Sequence, residues 1–252
     1  MRRRSIVVAT HGAFVGKTGK RIVVRTRSGG RAEYPAREVD LLLVTARGVT
    51  VSAEALRLAV ESGVPVFFAY PSGYPYAAVM PVVSTGSADT RREQILAKYD
   101  ERGTELAREF VRGKLRNQAG LLRSAAASRR RTSPAEADEL AGTADKILKL
   151  AEEAGSVSGA LDSGAAKRLR SIESEAARAY WAAFSLMVPR QLGFPGRVTL
   201  GAEDLVNSLL NYGYGVLRAR VSAAVFFAGL DLHAGFLHVD RAGRPSLALD
   251  MM

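Results

Sequence analysis

An imidazole and two carboxylates are residue types from which sites for divalent cations are made, and this chain offers such a set in its second half. Gly235-Phe236-Leu237-His238 is followed by Arg241-Ala242-Gly243-Arg244-Pro245 and then by the apolar run Ser246-Leu247-Ala248-Leu249-Asp250, which ends on a carboxylate. That spacing allows His238 and Asp250 to act as a ligand pair, although an ordinary hydrogen-bonded histidine is the simpler reading. Glu173 lies one position off an apolar helical stripe and reads either as a ligand or as a solvated flank charge. The other two histidines have simpler readings: His11 follows a strand and suits a turn, and His233 suits a polar loop. Gly16-Lys17-Thr18 lacks the glycine that a phosphate-binding loop needs five residues earlier, where His11 stands. It also falls between strands rather than before a helix N-terminus, so a hairpin turn is expected. There is no Gly-x-Ser-x-Gly elbow and no paired-histidine zinc motif. The absence of cysteine removes thiolate metal sites, disulfides and cysteine nucleophiles together.

The elements that must position these groups change character along the chain. Ser5 to Thr10, Arg21 to Arg27, Leu41 to Thr45, Pro65 to Ala69 and Tyr76 to Val82 are short β-branched or aromatic runs separated by turns. Ser28-Gly29-Gly30 signals a hairpin, and Ser52 to Ser62 is the one helical interruption, stopped by Gly63. Past Thr85-Gly86-Ser87 the apolar residues recur at three, four and seven positions, as in Ile95, Tyr99, Leu106 and Phe110. Ser133-Pro134-Ala135-Glu136 has the form of a capping box opening a helix to about Ala154. A loop at Gly155 to Gly159 precedes a helix whose stripe is Leu169, Ile172, Ala176, Tyr180, Phe184 and Met187. After the loop Gly193 to Gly201, a further helix is expected from about Glu203 to Gly229, with close packing or a kink at Gly213 and Gly215. The fold class expected is α+β: a small β-rich N-terminal domain, residues 1–84, followed by an all-helical C-terminal domain, residues 85–252.

Thirty-six Lys and Arg against 25 Asp and Glu give a net charge of +11, which makes polyanions the first partners to consider. Arg108, Arg112, Lys114, Arg116, Arg123 and Arg129 to Arg131 fill a window whose only acid is Glu109, and they read as a polyanion-facing surface. Lys167, Arg168, Arg170 and Arg178 surround Glu173 and are placed to hold phosphates if Glu173 binds a metal. Phe67, Phe68, Tyr70, Tyr74 and Tyr76 could stack on RNA, although burial in the β-rich domain is the simpler account. The basic opening is followed by an apolar run that His11 and Gly12 interrupt, too early for a signal-peptide core. No run approaches the roughly 20 apolar residues of a membrane span. No membrane partner and a cytoplasmic location are expected.

Three segments in order resemble the CRISPR-associated spacer-acquisition endonuclease and integrase family. They are Ile172-Glu173-Ser174-Glu175 to Trp181, Asp204-Leu205-Val206-Asn207-Ser208-Leu209-Leu210-Asn211-Tyr212-Gly213-Tyr214-Gly215, and Gly235-Phe236-Leu237-His238 through Gly243-Arg244-Pro245-Ser246-Leu247 to Asp250. The resemblance implies a homodimer, joined through the β-rich domain, that cuts and joins double-stranded and branched DNA when new spacers enter a CRISPR array. It also implies a small companion CRISPR-associated protein bridging two such dimers. Glu173, His238 and Asp250 fall on the family's catalytic, metal-binding positions, with Mg²⁺ or Mn²⁺ as the cofactor. Arg241 and Arg244 join the expected DNA contacts, Arg244 steadying the scissile phosphate, while Asn207 and Tyr214 either shape the pocket or serve packing. The family usually has glycine where Ser174 stands and carries another acid three residues beyond the position of Asp250. The chain is therefore expected to be C-terminally truncated, and the alternative is a catalytically impaired, basic DNA-binding scaffold.

Overall fold

The computed structural model describes residues 3–82, 88–161 and 164–252. Packing divides the chain into two compact units, one of Met1–Thr85 with Ser208–Ala228 and the other of Gly86–Asn207 with Gly229–Met252. Strands come first and helices follow, so the class is α+β. The composition changes at Thr85-Gly86-Ser87, which lie outside the described residues.

The first unit contains two four-stranded sheets. In one, β1 (Arg4–Val8), β5 (Val39–Val44), β7 (Val66–Ala69) and β8 (Pro75–Val79) lie in that order, parallel except for the antiparallel β7–β8 pair. The other runs β4 (Arg31–Pro35), β3 (Arg21–Arg25), β2 (Phe14–Thr18) and β6 (Thr50–Val51). Gly16-Lys17-Thr18 thus lies in β2 and leads into the β2–β3 hairpin. The Ser28-Gly29-Gly30 turn joins β3 to β4, with Gly29 at φ +87°. Sequence patterning overlooks β2, β4 and β6: β2 carries Gly16 and an outward Lys17, β4 is a half-exposed edge ending on Pro35, and β6 has two residues. Helix α1 (Ala53–Glu61) starts as expected, with Ser52 Oγ accepting the Ala55 N–H at 3.2 Å.

Strand β5 is an apolar run because both of its faces are covered. Leu42 and Val44 join Ile6, Val8, Val15, Ile22 and the α1 residues Ala55, Leu58 and Ala59 in one core. Leu41 and Leu43, with Phe67 and Ala69, face Ala219 and Ala223 of α6 (Leu205–Phe227) in another. At about 25 cal/mol per Å² of apolar surface, each fully buried leucine contributes roughly 2 kcal/mol. The approach of α6 to the β7–β8 turn is what requires glycine at 215. A Cβ there would run into the backbone carbonyl of Gly73, which is itself at φ +85°. The close packing expected at the two helix glycines therefore occurs at Gly215, whereas a Cβ on Gly213 meets nothing within 4 Å.

Burial holds for Phe67 but not for the tyrosines expected to share it: Tyr70 and Tyr76 are more than half exposed. Their rings pair at 4.9 Å, and the Arg218 guanidinium lies 4.6 Å from the Tyr74 ring centroid. Tyr70 and Tyr74 flank the β7–β8 turn and Tyr76 lies on the outward face of an edge strand, positions that leave their rings largely open to solvent.

The second unit is helical. Its long members are α3 (Glu101–Arg129), α4 (Pro134–Gly155) and α5 (Ala165–Ser185), which pack on one another. Val111, Leu115, Ala119 and Leu122 of α3, Leu140, Ala144, Ile147 and Ala151 of α4, and Leu169, Ile172 and Ala176 of α5 are the buried stripes. Helix α2 (Ala88–Ala97) precedes them, and α7 (Ser246–Asp250) packs on α3. Ser133 makes no side-chain cap despite its capping-box spacing. Glu136 lies 3.8 Å from Arg129 instead, so Pro134 at the first turn is the start signal that operates.

The two α6 glycines predict opposite signs. Gly215→Ala is expected to lower unfolding stability by about 1–3 kcal/mol through overpacking. Gly213→Ala should raise it by up to about 1 kcal/mol through helix propensity. Urea denaturation of the two variants checks both, and an unchanged midpoint for Gly215→Ala would contradict the close approach.

Candidate functional site

The loop ending in Phe236-Leu237-His238 and the last residue of α7 form a joint around one carboxylate. Asp250 Oδ2 accepts the backbone N–H groups of Phe236 at 2.6 Å and Leu237 at 3.0 Å. Its Oδ1 accepts the His238 N–H at 2.9 Å and lies 2.7 Å from His238 Nδ1. The Asp250 side chain has no exposure to solvent, while the imidazole retains 24%. Gly235 is required by closeness: a Cβ there would stand 2.9 Å from Asp250 Oδ2 and 2.7 Å from the Ser246 Cβ.

The loop is held from other sides as well. Gln94, buried in α2, donates from Nε2 to the carbonyls of Asp231 and Ala234, both at 2.8 Å, and accepts the Asp231 N–H at 2.7 Å. His233 Nδ1 faces the Arg244 carbonyl at 2.9 Å, a polar loop contact as its setting suggests. Arg170 Nη1 donates to the Leu237 carbonyl at 2.9 Å. Because Arg170 lies three residues before Glu173, on the same face of α5, this bond ties the helix bearing the glutamate to the loop presenting the imidazole. Glu173 itself is mostly buried and accepts from Lys114 Nζ of α3 at 2.6 Å.

Among the described residues, no three His, Asp or Glu side chains are placed together so as to hold a metal ion. The donors fit such an ion in part. The Glu173 carboxylate and His238 Nε2 have the right chemistry. Asp250 has all four acceptor positions taken, and releasing one for a metal would leave a buried N–H without a partner, at about 1–3 kcal/mol.

The basic residues divide into several roles. Lys167 and Arg241 are exposed. Arg178 is exposed and reaches Ser174 Oγ at 2.9 Å, and Arg168 pairs with Glu153 at 3.2 Å. Arg170 is turned inward onto the Leu237 carbonyl, and Arg244 is half-buried. The α3 window is not a bare cationic strip. Arg116 pairs with Glu152 at 3.1 Å, Arg123 with Asp145 at 2.7 Å, and Arg130 with Asp138, so α4 supplies the acids that the α3 sequence lacks.

Asn207 is fully buried and uses its whole hydrogen-bonding capacity. Nδ2 donates to the Gly196 carbonyl and to Asp204 Oδ2, each at 2.8 Å, while Oδ1 accepts from the Val198 N–H at 2.9 Å and from Arg197 Nη1 at 3.2 Å. Arg197 in turn lies over the Trp181 ring at 5.7 Å. Asp204 caps α6 by accepting the Asn207 N–H at 2.8 Å. Tyr214 is half-buried on the part of α6 that belongs to the first unit. Sequence reasoning misses Gln94 and Lys114 as site supports. Nothing in their local spacing marks them, since their partners are 59 or more residues away.

A family profile described as CRISPR associated protein Cas1 matches residues 6–252. A CRISPR-associated endonuclease Cas1 from Archaeoglobus fulgidus is 38% identical over 255 residues, covering 98% of this chain and 73% of the relative. Among solved structures, a casposase bound to integration product superposes with a TM-score of 0.77 at 23% identity, over 99% of this chain and 68% of that one. A Cas6-RT-Cas1–Cas2 complex gives 0.71 at 20% identity, over 99% and 26%. The chain shares its fold with these solved structures. It belongs to the Cas1 family of CRISPR-associated proteins. Among the described residues, no helix is long and apolar enough to cross a membrane.

The cap at α6 gives a pH prediction. The backbone N–H of Asn207, followed by its side chain, holds the Asp204 carboxyl below its ordinary value of 3.8. A depressed folded value contributes stability that is complete above the unfolded pKa and is lost as pH falls through the folded one. The difference in thermal midpoint between the native protein and Asp204→Ala should be constant near neutrality and shrink below about pH 4. A gap that stays constant into acid would refute the assignment.

Proposed function

We propose that this chain is a metal-dependent DNA endonuclease and integrase that cuts and joins strands as new spacers enter a CRISPR array. The observation that carries this reading is its membership of the Cas1 family over residues 6–252. The Arg170–Leu237 bond supports it, because it joins the Glu173 helix to the His238 loop.

In this reading the Glu173 carboxylate and Nε2 of His238 hold Mg²⁺ or Mn²⁺, with Asp250 behind the imidazole. Those residues would hold the ion, and the chemistry it would supply is polarisation of a phosphoryl oxygen and activation of water or a DNA 3′-hydroxyl. The protein's own part is to deliver two donors from separate elements, α5 and the 235–238 loop, and to hold the phosphates of double-stranded or branched DNA. Lys167, Arg178, Arg241 and Arg244 serve the phosphates directly. Arg168 can do so by exchanging its solvent-exposed pairing with Glu153, an interaction worth at most about 1 kcal/mol. Arg170 acts through the loop it braces. Contacts of this kind recognise backbone and duplex shape more than base sequence. The exposed Tyr70 and Tyr76 pair on the β-rich unit supports a homodimer through that unit, since aromatic surface of this sort favours burial. A small companion CRISPR-associated protein completes the proposed assembly.

A second reading, a basic DNA-binding scaffold without catalysis, is favoured by one observation: Glu173 is already neutralised by Lys114. Cleavage and strand joining of a branched DNA with Mn²⁺, Mg²⁺ or EDTA separates the two. The nuclease reading expects activity that EDTA abolishes and that His238→Ala lowers by more than about 100-fold, beyond the usual effect of losing a supporting group. Salt-sensitive DNA binding without activity, unaltered by Glu173→Gln, would establish the scaffold instead.

A further inference from the structure

We infer that Asp250 is a positioning residue rather than a metal ligand: it fixes the tautomer of His238, keeping the proton on Nδ1 and leaving the Nε2 lone pair as the outward donor. The use of that lone pair rests on the metal-binding reading above; the tautomer does not.

Three features support this role. The carboxylate already accepts three backbone N–H bonds, so toward Nδ1 at 2.7 Å it acts as an acceptor, and a ring nitrogen facing an acceptor must carry the proton. Exposure is divided in the same sense, since Asp250 is sealed and only the imidazole reaches solvent. Any ion arriving from outside meets the ring first. The three bonded N–H groups also belong to consecutive residues, ending with that of His238 itself, so one carboxylate sets both the loop backbone and the ring it carries. A histidine held through one nitrogen by a carboxylate is a common way of presenting the other nitrogen to a metal.

Asp250→Asn discriminates between the roles. The amide has one accepting edge. With its oxygen toward the N–H groups of Phe236 and Leu237, it turns its NH₂ toward the imidazole, so Nδ1 must accept and the ring proton moves to Nε2. That orientation sets NH₂ against one backbone donor, the His238 N–H, whereas the opposite one sets it against two, those of Phe236 and Leu237.

The test uses the full, metal-free chain labelled with ¹⁵N-histidine at about pH 8.5, above the ordinary range of imidazole titration. Long-range proton–nitrogen correlation spectra report the tautomer, and the His238 signals are those missing from His238→Ala. Native protein should show Nδ1–H and Asp250→Asn should show Nε2–H. Mn²⁺ affinity, followed by electron paramagnetic resonance, should fall about 10- to 100-fold in the variant. An Nε2–H tautomer in the native protein, or an Nδ1–H tautomer that persists in a folded Asp250→Asn, would overturn the inference. If the variant does not fold, the native spectrum decides alone. The expected tautomers with no Mn²⁺ bound by native protein would uphold the role of Asp250 and reject the metal-binding reading.

Discussion

A single buried carboxylate sets the geometry of the site. Asp250 stands at the C-terminal end of α7, where a negative charge opposes the partial charge of the helix carbonyls. What holds it there is the convergence of three consecutive backbone N–H groups and an imidazole, each a charge-assisted bond and together much stronger than the unfavourable end effect of a five-residue helix. Everything else near His238 serves to bring the loop and the helix to that point. Gln94 clamps the loop at Asp231 and Ala234, Arg170 braces it against α5, and Gly235 leaves room where a side chain would strike the carboxylate.

Charge is arranged across helices rather than along them. Helix α3 is nearly bare of acids between Arg108 and Arg131, yet α4 sets Asp138, Asp145 and Glu152 against it. Such pairs add little stability individually, but they quiet the cations on that side of the bundle. Lys167 and Arg241 are exposed as well.

Much of this was legible in the sequence, and the exceptions have physical causes. The β-then-α order, the proline-marked start of α4, the stripe of α5 and the cap of α1 all follow from local periodicity and capping chemistry, which act within a few residues. The short strands β2, β4 and β6 escape because edge and glycine-containing strands carry too little apolar alternation. The tyrosines at 70, 74 and 76 read as core because aromatic type alone does not say which face of a sheet is covered. In the site, Asn207 was visible as a residue that shapes the pocket or serves packing, and its bonds make it a saturated anchor for the 196–198 loop. The pairing of Glu173 with Lys114 and the fourfold saturation of Asp250 depend on partners distant in sequence or on the backbone, which residue type and spacing do not encode.

The face of β5 and β7 that α6 covers has a consequence for how the protein is made. Leu41, Leu43, Phe67 and Ala69 gain their cover from Ala219 and Ala223, residues that leave the ribosome only after most of the helical unit has been synthesised. At about 5–20 residues per second the sheet waits roughly ten seconds or more for α6. During that interval the nascent chain carries a finished strand pairing with one greasy side bare, the kind of surface that chaperones hold and that sticks to its neighbours when they do not.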